Sequence, residues 1–161
     1  MRDPIPDSDA LRANIADTAR KVAIPDRFSP LVSAVEKVNP KIPSTLDADE
    51  VKKTFAQRGD CGFDVDGPFA IDNLVSADSV RHKGLTGPVA GQADILVFPN
   101  LDGGNVFYKT AVFLAGAEAA GLVIGAKVPI VLTSRADAPE TKLNSIALSV
   151  VYEHGLSDSR H

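Results

Sequence analysis

Residues 93–137 read ADILVFPNLDGGNVFYKTAVFLAGAEAAGLVIGAKVPIVLTSRAD, and this stretch decides the fold. It begins with a run over 93–98 that is apolar except for Asp94, which is typical of a strand buried on both faces of a parallel sheet. After a Gly-rich turn, the pattern predicts a helix over 104–120 and further strands over 122–124 and 129–133. Strands that alternate with a helix at this spacing indicate an α/β fold.

The rest of the chain continues this alternation. A buried strand is predicted to begin at Phe28, and a short one is predicted over 61–65. Helical spacing, capping residues and turn residues predict helices over 8–25, 46–57, 68–75, 77–83 and 139–151. We therefore predict a three-layer α/β/α architecture with a mostly parallel sheet.

Composition and charge indicate which partners and which cellular compartment are expected. The 161 residues carry a formal charge of −4 and form no basic stripe, so a nucleic-acid partner is not expected. The longest apolar stretch, 111–132, is interrupted by Glu118, Lys127 and Pro129, so a membrane span is not expected either. The single cysteine, Cys61, has no internal disulfide partner, which favours a reducing compartment, and we expect a cytoplasmic protein.

The first candidate site is the segment PNLDGGN, residues 99–105, which joins a predicted strand to a helix. Gly103 and Gly104 would let backbone N–H groups approach a ligand closely, at a helix N-terminus that favours an anion. Asn105 would cap the helix or contact the ligand, and Lys109 lies one turn further along the same face. A plain tight turn between strand and helix is the alternative interpretation.

The second candidate site is TSRAD, residues 133–137, which follows a predicted buried strand. It places the hydroxyl of Ser134 and the guanidinium of Arg135 beyond the end of that strand, where ligands collect in open α/β sheets. An arginine there is suited to phosphate, which it binds through two parallel hydrogen bonds. The alternative is a surface arginine paired with Asp137 or Glu140.

Five blocks of sequence resemble one known family. In chain order they are LVSAVEKVNPKIP (31–43), DGPFAIDNLVS (66–76), HKGLTGPVAGQADILVFPNLDGGNVFYK (82–109), FLAGAEAAGLVIGAKVPIVLTSRAD (113–137) and TKLNSIAL (141–148). Together they resemble the C-terminal half of the phosphate acetyltransferase/phosphate butyryltransferase family. The resemblance implies a part of the isopropylmalate/isocitrate dehydrogenase-like architecture. The decarboxylating dehydrogenases share that architecture, but their Asp clusters and nucleotide motif are not visible here.

The resemblance also implies a reaction, in which acyl-CoA and inorganic phosphate give acyl phosphate and CoA. Coenzyme A is then a substrate, and no metal or prosthetic group takes part. Arg135 matches the family's phosphate-binding arginine, and Ser134 matches a hydrogen-bond donor to the substrate. Further substrate-binding residues are implied at Gly103, Gly104, Asn105, Lys109, Asp72 and Asn73, with helix capping as the alternative for the last two.

The chain departs from the family in two ways. The acetyl-specific branch has a catalytic Asp six residues after the arginine, where this chain has Thr141, so Asp137 becomes the substitute candidate for a general base. Family members are also much longer than this chain. A non-catalytic truncated module that dimerises and binds CoA or phosphate weakly is therefore the alternative function.

The resemblance divides the chain into segments. Residues 10–125 would form the family's second, dimerising α/β domain, and 126–152 would be a strand and helix that return to the first domain. We expect a flexible start at 1–9, a disordered tail at 153–161, and a homodimer. The strand at 129–133 would lack its usual neighbours, so it must pack on the second domain, pair with another chain, or leave apolar surface exposed.

Overall fold

The structure is a computed structural model, and it describes residues 28–57, 63–87 and 89–154. The predicted helix over 8–25 and the side chain of Cys61 lie outside the described residues. The same holds for the predicted flexible start and for the part of the tail after residue 154.

Seven elements alternate along the described chain. In order they are β1 (Phe28–Val32), α1 (Pro43–Gln57), β2 (Asp64–Phe69), α2 (Asp72–Val75), α3 (Ala77–Lys83), α4 (Leu101–Phe113) and α5 (Pro139–His154). Helices combined with a small parallel sheet confirm the predicted α/β class. The described chain divides into two compact units, which we call the N-terminal unit, residues 28–104, and the C-terminal unit, residues 105–154. Helix α4 begins in the first and ends in the second.

The sheet of the N-terminal unit consists of β1 and β2 in parallel. Phe28 lies opposite Asp64 and Val32 opposite Phe69, with an irregularity after Pro30. Parallel neighbours require a crossover connection, and α1 lies in that connection.

β2 lies later in the chain than the sequence pattern predicts. It begins at Asp64 and continues through Pro68, so the helix predicted over 68–75 is reduced to the short α2. The approach to β1 explains this shift, because a Cβ added at Gly67 would lie 2.8 Å from the Cβ of Leu31. Only glycine allows the two backbones to come so close there.

The segment over 93–98, predicted as a fully paired strand, forms one isolated parallel bridge between Leu31 and Val97. The amide N of Val32 donates to the Val97 carbonyl at 2.8 Å, and the Val97 amide donates to the Pro30 carbonyl at 3.0 Å. Its apolar side chains are partly buried against the core instead of lying in a long ladder.

Two apolar clusters form the core of the N-terminal unit. The first packs α1 on the sheet, and it consists of Leu31, Ala48, Val51 and Phe55. The second lies around α2, and it consists of Phe69, Leu74 and Val89. The α1 members recur at helical spacing, so one face of α1 is apolar as the sequence predicts.

Helix α1 begins at Pro43, three residues before its predicted start. Thr45, which directly precedes the predicted start, lies inside the helix and is fully buried. Its hydroxyl donates to the carbonyls of Asn39 and Ile42, at 3.0 and 2.7 Å, and accepts the Asn39 amide at 2.9 Å. Thr45 therefore fixes the loop before the helix.

Helix α4 ends at Phe113, well before the predicted end at residue 120. The chain then turns at Gly116, whose φ of 68° lies in the left-handed region. The small residues that follow offer little apolar area to bury, which removes the main stabilisation of a surface helix. Helix α5 begins at Pro139 as predicted and ends three residues beyond residue 151.

The two strands predicted over 122–124 and 129–133 form a single antiparallel bridge between Val123 and Ile130, and not part of a parallel sheet. Val131 and Leu132 remain exposed, the latter by 71%. Of the three outcomes expected for this segment, exposed apolar surface is the one that the structure shows. No helix among the described residues is long and apolar enough to cross a bilayer.

Candidate functional site

The predicted site residues are divided between the two units. Asp72, Asn73, Gly103 and Gly104 belong to the N-terminal unit. The C-terminal unit holds Asn105, Lys109, Ser134, Arg135 and Asp137. Within the C-terminal unit, the structure brings the last three together in one turn.

That turn, residues 134–137, is closed by three hydrogen bonds. The Ser134 amide donates to Oδ2 of Asp137 at 2.6 Å, and the Asp137 amide donates to the Ser134 carbonyl at 3.2 Å. The Ala136 amide donates to Oγ of Ser134 at 3.3 Å. Serine and aspartate side chains commonly bond to nearby backbone amides in this way, so the sequence SRAD encodes the turn locally.

The guanidinium of Arg135 is exposed on this turn. Within the described part of the chain, neither Asp137 nor Glu140 forms an ion pair with it, so the surface pairing that the sequence left open does not occur. Ser134 is also exposed, and its oxygen accepts from Ala136 while its O–H proton stays available to a ligand. A cation and a hydroxyl donor therefore adjoin one another on the surface, which suits an anion.

Tyr108 extends this arrangement from helix α4. Its hydroxyl donates to Oδ1 of Asp137 at 3.4 Å. Burial raises the pKa of Tyr108, and the charge of the Asp137 carboxylate raises it further. Each oxygen of Asp137 thus accepts one hydrogen bond, one from the turn itself and one from a helix.

Lys109 points its ammonium at aromatic rings. Nζ lies 5.2 Å from the ring centre of Tyr108 and 5.4 Å from that of Phe113. Both distances fall within the range of a cation–π interaction. Its role in substrate binding stays a prediction.

Gly103, Gly104 and Asn105 lie inside α4, and not in a turn before it. The expected Gly-rich turn is wrong because the helix begins at Leu101 and Oδ1 of Asn100 accepts the Gly103 amide at 2.8 Å. This bond is a typical N-cap, and it engages a backbone amide that was expected to face a ligand.

Asp72 and Asn73 take part in a polar cluster around Lys83. Nζ of Lys83 lies 3.0 Å from Oδ2 of Asp72, 2.9 Å from Oδ1 of Asn73 and 3.5 Å from Oε2 of Glu36. The Ser79 hydroxyl also donates to Oδ2 of Asp72. Neither Asp72 nor Asn73 caps α2, whose N-cap residue is Ile71 and makes no side-chain bond.

Hydrogen bonds within this cluster shift two pKa values. The hydroxyl of Ser79 and then the ammonium of Lys83 lower the pKa of Asp72. In turn, the hydrogen bond from Lys83 to the Asp72 carboxylate raises the pKa of Lys83. Asn73 is fully buried, and its Nδ2 has no hydrogen-bond partner among the described residues. The described residues contain no group of three His, Cys, Asp or Glu side chains that could hold a metal ion.

Comparison with known proteins identifies the family. The sequence matches the family described as "Phosphate acetyl/butaryl transferase" over residues 4–150. The chain belongs to the phosphate acetyl/butyryl transferase family. This match covers most of the chain, in agreement with the resemblance of the five sequence blocks.

Named relatives in the phosphate acetyl/butyryl transferase family agree with this assignment. The chain is 53% identical over 123 residues to the phosphate acetyltransferase of Thermotoga maritima, which covers 76% of this chain and 42% of that protein. It is 45% identical over 139 residues to the phosphate butyryltransferase of Clostridium acetobutylicum, which covers 86% of this chain and 46% of that protein. The chain thus spans about half the length of these relatives.

A solved structure of the same kind resembles the fold closely. The branched-chain phosphotransacylase from Enterococcus faecalis V583 matches with a TM-score of 0.83 at 36% identity. The match covers 93% of this chain and 55% of that one.

The sequence of this phosphate acetyl/butyryl transferase family member did not reveal three of the residues described above. Tyr108 directly precedes Lys109, so it lies in a run that carries candidate site residues, yet its partner Asp137 is far along the chain. Lys83 was missed because its contacts with Asp72 and Asn73 depend on the tertiary fold, and Glu36 was missed because its partner is Lys83, far along the chain. Asn100, which directly precedes the first helical residue Leu101, is a local capping signal that was available.

Proposed function

We propose that the protein acts in phosphate acyl transfer, forming acyl phosphate and CoA from acyl-CoA and inorganic phosphate. The observation that carries this proposal is the exposed Arg135, which has no ion pair among the described residues, beside the available hydroxyl of Ser134, in a chain of this family. Relatives named phosphate acetyltransferase and phosphate butyryltransferase support an acetyl or butyryl substrate. The chain would act as the part of such an enzyme that it covers.

The chemistry is a transfer of one acyl group. An oxygen of hydrogen phosphate attacks the thioester carbonyl of acyl-CoA, a C–O bond forms, and the C–S bond breaks so that CoA leaves as a thiolate. The phosphate group gives up its proton and the thiolate takes one up, so that the products are acyl phosphate and the CoA thiol. Arg135 would neutralise the phosphate, and a hydrogen bond between charged groups contributes about 1.5 to 3 kcal/mol. Ser134 would donate to a substrate oxygen as negative charge develops. The step needs neither a metal nor a prosthetic group.

Phosphate-dependent release of the CoA thiol tests this proposal directly. We expect the protein to release CoA from acetyl-CoA or butyryl-CoA only when phosphate is present, and Arg135→Ala to lower the rate about 100-fold or more. Lys142→Ala, which removes an exposed cation on α5, is the matched control and should leave the rate unchanged. Phosphate binding without any release of CoA would instead support a non-catalytic module.

We further propose a homodimer in the cytoplasm. The exposed apolar side chains of the C-terminal unit support association with another surface, since large apolar patches often mark interfaces. The single cysteine supports a reducing compartment. A mass equal to twice the monomer in sedimentation equilibrium, and recovery with the cytosolic fraction of cells, would support these two points, and a monomer or a membrane-bound fraction would contradict them.

A further inference from the structure

Both oxygens of Asp137 already accept hydrogen bonds. Oδ2 accepts the Ser134 amide at 2.6 Å, and Oδ1 accepts the Tyr108 hydroxyl at 3.4 Å. Each carboxylate oxygen has two lone pairs, and on Oδ2 one of them accepts the shorter of these bonds, from the Ser134 amide. Both bonds use the carboxylate as an acceptor that closes and anchors the turn, and this use needs no proton transfer, whereas a general base must take a proton during each cycle.

Tyr108 holds the same carboxylate from outside the turn. Its hydroxyl is a donor as long as it is protonated, which a phenol of ordinary pKa already is at neutral pH, and the raised pKa of Tyr108 extends this range to higher pH. The bond connects the turn to helix α4, so a contact outside the turn also holds it in position.

Arg135 lies inside this turn, between Ser134 and Asp137, the two residues whose hydrogen bonds close it. Its guanidinium has no acidic partner among the described residues, so no ion pair fixes its direction. The conformation of residues 134–137 is then what sets the direction in which the guanidinium leaves the backbone.

We propose that Asp137 and Tyr108 are positioning residues, which hold Ser134 and Arg135 in place for phosphate, and that Asp137 is not the general base. This inference rests on the proposed function, because it concerns the same phosphate site. It assigns Asp137, which the sequence suggested as a base, to a different role.

Titration calorimetry with inorganic phosphate tests the positioning role without requiring turnover. Asp137→Ala removes both acceptors and should raise the Kd for phosphate about 10-fold, while Tyr108→Phe removes one donor and should raise it about 3-fold. Asp137→Asn keeps a carbonyl oxygen that can accept the Ser134 amide, and it should restore most of the affinity. Glu140→Ala removes an exposed carboxylate close by and should not weaken binding.

The kinetic comparison separates positioning from base catalysis. In the CoA-release assay, Asp137→Asn should keep kcat within about 10-fold of the wild type, and Tyr108→Phe should raise the KM for phosphate with little change in kcat. If Asp137→Asn instead lowers kcat about 100-fold or more, with an unchanged Kd for phosphate, the inference is overturned and Asp137 is the general base. Unfolding curves of each variant exclude a general loss of structure.

The two proposals fail differently. If phosphate binds and Arg135→Ala abolishes binding, but no CoA is released, the proposed function fails while the calorimetric ranking of the Asp137 and Tyr108 variants still supports positioning. If Asp137→Ala binds phosphate as tightly as the wild type, positioning is overturned whatever the protein catalyses. A wild type that binds no phosphate overturns both.

Discussion

In the N-terminal unit the large apolar side chains are gathered around the sheet, whereas in the C-terminal unit most of them are exposed. Only three of the exposed large hydrophobic residues in the described chain, Val38, Val75 and Leu101, lie outside the C-terminal unit. Among the described residues of that unit, Tyr152 is the one buried large hydrophobic residue. The residues of the candidate phosphate site lie in the unit with little core of its own, so hydrogen bonds and not packing hold them.

This contrast separates two kinds of substitution. Changes in the two core clusters of the N-terminal unit should act on the free energy of unfolding, because the side chains of these clusters are buried and packed. Changes at Ser134, Arg135 and Asp137 should act on ligand binding and leave the stability nearly unaltered, since Ser134 and Arg135 are exposed and Asp137 is only partly buried.

The largest effect on stability is expected at Phe55, which is 5% exposed and packs with its ring centre 5.8 Å from that of Phe63. Phe55→Ala should lower the free energy of unfolding by about 3 to 5 kcal/mol through lost burial and a cavity. The matched control is Leu132→Ala in the C-terminal unit, which should change it by less than about 0.5 kcal/mol. Denaturant titrations measure the free energy of unfolding of both variants. Equal decreases would contradict the proposed difference in packing between the two units.

A smaller loss is expected at the buried hydroxyl of Thr45. Thr45→Val keeps the shape but leaves the Asn39 amide without its acceptor, which should cost about 1 to 3 kcal/mol. Thr54→Val on the same helix removes a hydroxyl that bonds the Glu50 carbonyl on the exposed side, and it should cost much less. Thermal unfolding measures the stability lost by each variant. Equal losses for Thr45→Val and Thr54→Val would mean that the buried bonds of Thr45 contribute no more to stability than the exposed bond of Thr54.

A still smaller, pH-dependent effect is expected in the cluster around Lys83. Because the pKa of Asp72 is lowered in the folded chain, its contribution to stability is present above the usual carboxyl pKa and is lost as the pH falls through the folded value. Asp72→Asn should therefore lower the Tm at neutral pH and match the wild type in acid. Asp78→Asn, which removes an exposed partner of Arg81, should keep the acid-dependent loss.

The smallest effect is expected in the titration of Tyr108. Its raised pKa means that its contribution to stability is complete below the usual phenol pKa and is lost as the pH rises through the folded value. Asp137→Asn removes the nearby negative charge, while the ammonium of Lys109 stays close to the ring, so the pKa of Tyr108 should fall. Tyrosinate absorbance measures this, with Tyr108→Phe to identify the signal, and an unchanged midpoint would contradict the contact.

Local signals in the sequence predicted several elements closely. Helix α3 has the predicted bounds, α1 ends at Gln57, and α5 begins at Pro139. The segment over 133–137 was predicted as a candidate site from its residue types and from the strand predicted directly before it. Signals of this kind depend on neighbours within a few residues.

Tertiary contacts explain what the sequence did not predict. The apolar run over 93–98 looked like a full strand, but how many residues pair depends on its distant neighbour β1. Gly103 and Gly104 looked like a turn, but capping by Asn100 placed them in a helix despite their low helix propensity. The contact between Tyr108 and Asp137 joins residues 29 positions apart, and no local pattern encodes it.

The most direct test of the central claim is the binding of inorganic phosphate, measured by calorimetry on the wild type and on Arg135→Ala. The account predicts that the wild type binds phosphate, that Arg135→Ala loses this binding, and that Lys142→Ala retains it, all with unchanged thermal unfolding in the absence of phosphate. Equal phosphate binding by Arg135→Ala and the wild type would contradict the account, because the turn at residues 134–137 would then not be the phosphate site.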